Sequence, residues 1–165
     1  VGRTPEYLGK KIEAPEIKLA ALALLLHPLL ILGGTALFAA SAWGADTVAN
    51  PGSHGFTEIL YEMSSAAANN GSGFEGLSDN TFAWNLATGL IMFAGRYLPI
   101  LLPVAIAGFL ATKRPQPETI GTFRTDTPLF GLVLLGTIVL LGALLFLPAA
   151  VLGPIAEQLS LGVQP

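Results

Sequence analysis

The sequence predicts an all-α membrane protein: three transmembrane helices plus one short re-entrant helix that runs into an irregular turn. Three observations carry this. Just over half of the 165 residues are hydrophobic (52%) and only 12% are charged, against about 25% charged in a soluble domain. The deficit is concentrated in three long stretches with almost no charge. At about 1.5 Å per residue, each crosses a hydrocarbon core of about 30 Å. The basic residues, finally, fall on alternate sides of those stretches.

Residues 1–16 are polar, with Arg3, Lys10 and Lys11 beside Glu6, Glu13 and Glu16. The first span is expected over residues 17–42, interrupted only by His27-Pro28 and Gly33-Gly34. Intramembrane proline is tolerated where neighbours satisfy the freed backbone. Residues 43–81 read as an outer loop, opened by Trp43 at interfacial height. Within it, Phe56, Ile59, Leu60 and Met63 recur at helical spacing and predict a helix over residues 56–68. That helix is too short to span, so it lies on the surface or re-enters the membrane. Asn69-Asn70-Gly71-Ser72-Gly73-Phe74 follows as a turn-forming cluster.

The second span is expected over residues 82–111, carrying only Arg96 as a charge. Lys113-Arg114-Pro115 stops it, and residues 112–127 form a polar loop. Thr125-Asp126-Thr127-Pro128 has the form of a helix start, with a Thr or Asp cap and proline at the first helical position. The third span is uncharged over residues 128–152. Gly153-Pro154 is expected to end it, leaving residues 153–165 as an outer tail.

Of the eight Lys and Arg residues, four fall within residues 1–18 and three, Lys113, Arg114 and Arg124, between the second and third spans. The positive-inside rule places residues 1–16 and 112–127 in the cytoplasm, with the 43–81 loop and C-terminus outside. The outer side then holds Asp46, Glu58, Glu62, Glu75, Asp79 and Glu157 with no basic residue. Such a mouth concentrates cations, although a solvated loop has the same composition. The absence of cysteine excludes a disulfide framework and a thiolate metal site. Two histidines and two methionines do not suggest a transition-metal site. No pattern suggests a nucleotide site, an organic cofactor or nucleic-acid binding; the partner implied by composition is the lipid bilayer.

Span, outer loop, short helix, glycine turn, span is the layout of a pore loop in a cation channel. A helix entering from outside points its C-terminus, with roughly half a negative elementary charge, into the membrane. Glycine at 71 and 73 permits backbone conformations that side-chained residues resist. Successive carbonyls then face one axis and replace an ion's hydration shell. Asn69, Asn70 and Ser72 are placed to brace the turn. Taken alone, the turn is equally compatible with a helix lying flat outside and an exposed Asn-Gly loop. Arg96, inside a span, requires a functional or a pairing explanation; Glu58 and Glu62 on the re-entrant helix are its candidate partners.

Several strings resemble the potassium-binding subunit family of the Kdp potassium-transporting ATPase (KdpA). They are Gly2-Arg3-Thr4-Pro5-Glu6-Tyr7-Leu8-Gly9-Lys10-Lys11-Ile12, His54 to Tyr61, Asn69-Asn70-Gly71-Ser72, Gly95-Arg96, Leu147-Pro148-Ala149 and Leu152-Gly153-Pro154. The resemblance implies a C-terminal piece of a subunit with ten spans and four channel-like repeats, of which this is the last repeat. It implies potassium as the ion, held at Asn69, Asn70, Gly71 and Ser72, one quarter of a selectivity filter. Gly73, Glu58, Glu62 and Arg96 would support that filter, and Arg3 would lie in a gating or partner-contact region. The implied partners are the P-type ATPase subunit KdpB, which hydrolyses ATP, with KdpC, KdpF and the remaining repeats of the same subunit. The implied location is the bacterial inner membrane. The chain departs from the family's pattern at Ala68, where a third asparagine is usual, at Gly73, where alanine is usual, and at Glu75. Two other readings remain at this point, a passive homo-oligomeric cation channel and a non-transporting membrane scaffold.

Overall fold

The computed structural model describes residues 5–118 and 120–161; Arg3 therefore lies outside the described residues. The chain divides into two compact units, residues 5–117 and the segment from Glu118 onward.

The first unit opens with a small hairpin. β1 (Glu6–Tyr7) pairs antiparallel with β2 (Lys10–Lys11), Glu6 opposite Lys11. Leu8 and Gly9 turn it with φ of 52° and 74°, the primed geometry that suits a tight hairpin. The hairpin is tied to the far end of a later helix. Lys10 Nζ donates to the Leu110 carbonyl at 2.8 Å, and the Gln116 amide donates to the Gly9 carbonyl at 2.8 Å.

α1 (Ala14–Ala39) starts before the expected residue 17. The charges that read as loop are its cap: the Glu13 amide donates to Glu16 Oε2 at 2.8 Å, completing a capping box. Lys113 Nζ closes the same corner, 2.9 Å from both Glu13 Oε2 and Glu16 Oε2. Pro28 sits within α1 without ending it. The helix stops at Ala39, short of residue 42, and α2 (Ala42–Ala45) is a single turn.

α3 (Ser53–Ala67) starts earlier than residue 56, because Gly52 turns the chain sharply at φ 72°. α4 (Phe82–Ala111) covers the second apolar stretch, capped by Thr81 Oγ1 accepting from the Trp84 amide at 3.3 Å. It runs on through Pro99 and Pro103. α3 packs against both α1 and α4, which also contact each other. Phe38, Ile59, Met63, Leu77 and Trp84 form the buried cluster between them. Phe38 and Trp84 rings lie 4.2 Å apart, and Trp84 Nε1 donates to Thr47 Oγ1 at 3.0 Å. That bond satisfies the indole's polar end where the ring is buried.

α1 and α4 are long and apolar enough to cross a membrane. At about 1.5 Å per residue they run roughly 39 and 45 Å. Most of their apolar side chains face away from the chain; Leu24 is 77% exposed. The core helix of a soluble protein would bury that face.

In the second unit, α5 (Pro128–Leu161) starts at Pro128, with Thr127 Oγ1 accepting from the Phe130 amide at 3.3 Å. Asp126 does not cap; it pairs with Arg124 at 2.6 Å, and that guanidinium lowers its pKa. Gly153-Pro154 does not end the helix, which continues to Leu161. A proline removes one amide donor, but the residues beyond it still satisfy theirs by staying helical. The expected outer tail is therefore helical as far as Leu161. The side chain of Glu157 lies outside the described residues.

Candidate ion-binding turn

α3 ends in a left-handed residue. Asn69 has φ 63°, its amide donates to the Ala66 carbonyl, and the Asn70 amide donates to the Ser65 carbonyl. These bonds satisfy carbonyls that the helix end would otherwise orphan, and asparagine tolerates the conformation better than most side-chained residues. Gly71 repeats the left-handed geometry with φ 73°.

The turn is held from two sides. Ser65 Oγ accepts from the Ser72 amide at 2.9 Å and lies 3.0 Å from Ser72 Oγ. Tyr61 OH lies 3.2 Å from the same Ser72 Oγ, and its ring packs edge-on against Phe74 at 5.6 Å. On the other side Asn69 Nδ2 donates to the Ala67 carbonyl at 3.1 Å, and Asn69 Oδ1 accepts from Arg96 Nε at 2.9 Å. Arg96 thus braces the turn through Asn69 and not through Glu58 or Glu62. Gly95, beside it, is buried with its Cα against the Ala67 carbonyl, closer than any side chain allows.

The backbone carbonyls of residues 69–73 remain. Among the described residues none of them accepts a hydrogen bond. Asn70, Gly71, Ser72 and Gly73 are exposed, whereas the residues bracing them, Ser65 and Ala67, are buried. Carbonyl oxygens left free at a helix C-terminus have the chemistry to ligate a cation.

The two carboxylates of α3 take different roles. Glu58 is buried and accepts from the Ala49 amide at 2.8 Å, the Asn50 amide at 3.1 Å and Asn50 Nδ2 at 2.7 Å. It clamps the loop before α3, so its support for the turn is indirect. Glu62 packs beside the turn, with Oε2 facing Gly73. Both lie outside the long apolar helices. The Asn50 side chain and the two amides lower the Glu58 pKa against the effect of burial. Burial, then the charge of Asp79, raises that of Glu62.

Asn69, Asn70, Gly71 and Ser72 are contiguous and Gly73, Glu62 and Arg96 adjoin them. Sequence reasoning gave no role at the turn to Tyr61 or Gly95, which it quoted only within resembling strings, and missed Ser65. Ser65 lies seven positions before Ser72, a spacing that means nothing until the chain reverses at Gly71.

The family model for the potassium-transporting ATPase A subunit (KdpA) matches residues 1–159. The chain belongs to this family. It is also 55% identical, over 161 residues, to the potassium-transporting ATPase potassium-binding subunit of Geobacillus kaustophilus (strain HTA426). That match covers 98% of this chain and 29% of the relative, so the chain spans less than a third of the length of the curated relative it matches. Membership of a transporter family, with two helices able to cross a bilayer, makes this a membrane protein.

Proposed function

We propose that the chain supplies one quarter of the selectivity filter of an ATP-driven potassium importer. Potassium is the ligand, held by the carbonyls of Asn69, Asn70, Gly71 and Ser72. The observation that carries the reading is the run of unpartnered carbonyls on a turn pinned through the Asn69, Asn70 and Ser72 amides and the Asn69 side chain. A single loop surrounds an ion on one side only, so the remaining ligands come from the other repeats of the subunit. α3 is then the re-entrant pore helix, α1, α4 and α5 are spans, and the turn faces outward because no Lys or Arg occurs in residues 43–81. Residues 1–16 and 112–127 face the cytoplasm of a bacterial inner membrane. ATP hydrolysis belongs to KdpB, in a complex completed by KdpC and KdpF.

Gly71→Asp in the complete subunit tests this. Gly71 has positive φ and open space around it, so a side chain strains the turn and sets a carboxylate among the carbonyls. Uptake at micromolar potassium should be abolished or require far more potassium. Unchanged uptake at micromolar potassium overturns the assignment.

A further inference from the structure

Glu62 accepts from the Phe74 amide at the end of the turn, which leaves its second carboxylate oxygen unused. It is 9% exposed, and its Oε2 has no hydrogen-bond partner. That oxygen lies 3.2 Å from the point where a Cβ on Gly73 would stand, and Asp79 Oδ2 lies 3.0 Å from the same point. Two carboxylates, one from the helix before the turn and one from the segment after it, therefore converge on the bare edge of Gly73. Residues 43–81 contain no Lys or Arg to neutralise them.

We propose that Glu62 and Asp79 form a binding site for a divalent cation of the calcium class, linking α3 to the chain beyond the turn. Two unit negative charges match a divalent ion. Hard cations of this class take carboxylate oxygens in flexible geometry, and water completes the shell where the protein supplies few ligands. The buried, unpartnered Oε2 of Glu62 is then a ligand aimed into the gap. Gly73 gains a reason as well: a methyl group there presses on both carboxylate oxygens at 3.0–3.2 Å. The site lies beside the row of carbonyls and does not depend on their binding potassium. Its effect is to tie down the outgoing limb of the turn, which glycine at 73 leaves without a side chain.

The test is a calcium titration of the complete subunit, purified in calcium-free buffer and followed by calorimetry and by thermal unfolding. The wild-type protein should bind saturably at about 0.1–1 mM, the range of weak extracellular sites, and unfold at higher temperature when loaded. Glu62→Gln and Asp79→Asn should each weaken binding by at least about tenfold, as loss of a metal-site partner does. Gly73→Ala, which keeps both carboxylates, should weaken it too. Wild-type calcium affinity in Glu62→Gln and Asp79→Asn overturns the proposal. So does a non-saturable response shared by every variant, which marks an adventitious ion only. Potassium binding measured without calcium should persist in Asp79→Asn. Its loss in Gly71→Asp, by contrast, reports on the turn, so the two assignments fail separately.

Discussion

Gly95→Ala is the smallest change that should disturb the turn from a distance. The added Cβ would overlap the Ala67 carbonyl oxygen and stand 3.2 Å from the Ala67 carbonyl carbon and 3.3 Å from its Cα. All three are backbone atoms, so none can swing aside as a side-chain end would. Overpacking of this kind costs about 1–3 kcal/mol. Alanine recovers at most about 1 kcal/mol of helix propensity. With the full propensity gain set against that cost, the expected net loss is up to about 2 kcal/mol. The displaced carbonyl also accepts from Asn69 Nδ2, and Asn69 is the group that meets Arg96. The strain therefore passes directly into the turn, and potassium affinity should fall together with the unfolding temperature. Gly89→Ala on the same helix is the control, because nothing lies within 4 Å of a Cβ there; it should be neutral or slightly stabilising. Both variants are to be compared in the complete subunit by thermal unfolding and potassium binding. If Gly95→Ala matches Gly89→Ala in both assays, the α3–α4 contact does not position the turn.

Ser65→Ala removes the acceptor for the Ser72 amide and a partner of its hydroxyl. An unpaired, partly buried amide costs about 1–3 kcal/mol, so unfolding temperature and potassium affinity should both drop. Tyr61→Phe, which loses only the longer 3.2 Å contact at an exposed hydroxyl, should do less; the reverse order in a potassium titration would refute the bracing scheme. For Glu62 the folded-state pKa lies above the ordinary glutamate value. The folded chain therefore holds a proton that the unfolded chain has released, and stability should decline as pH rises through that window. In calcium-free buffer, Glu62→Gln should flatten this decline in a series of thermal melts, and an unchanged slope would assign the titration to another group.

Much of the fold is legible in the sequence because the absence of charge is a strong, local signal. α4 occupies the apolar stretch from Phe82 to Ala111, bounded by a threonine cap and by Lys113. The start of α1 was harder to read. Glu13 and Glu16 look like solvated loop residues, yet their value to the chain is as a cap and as partners of Lys113, 97 residues away from Glu16. The end of α5 failed in the opposite sense. Gly153-Pro154 is a reliable stop only where the following residues have other ways to satisfy their backbone, and here they remain helical to Leu161. At the turn, the contiguous residues could be read and their supports could not. Ser65 against Ser72 and Gly95 against Ala67 are coincidences of packing, created by the chain's reversal, with no periodicity that marks them in advance.

Glu58 and Glu62 show why the same difficulty extends to charge. They are four residues apart on α3 and so share a helix face. From sequence they are interchangeable, two acids equally placed to meet Arg96. The fold separates them by what each encounters. Glu58 meets three donors from Ala49 and Asn50, which satisfy its charge and lower its pKa. Arg96 finds its described bond at the amide oxygen of Asn69 instead. Glu62 is buried with Asp79 nearby, and its pKa rises, from burial first and from the Asp79 charge second. The direction of the shift is set by whether donors outweigh burial, as they do at Glu58 and do not at Glu62, and that depends on which loops close over α3. A carboxylate satisfied by donors needs nothing more. One facing another carboxylate across a glycine needs a proton or a cation, and for this reason Glu62 carries the new site whereas Glu58 does not.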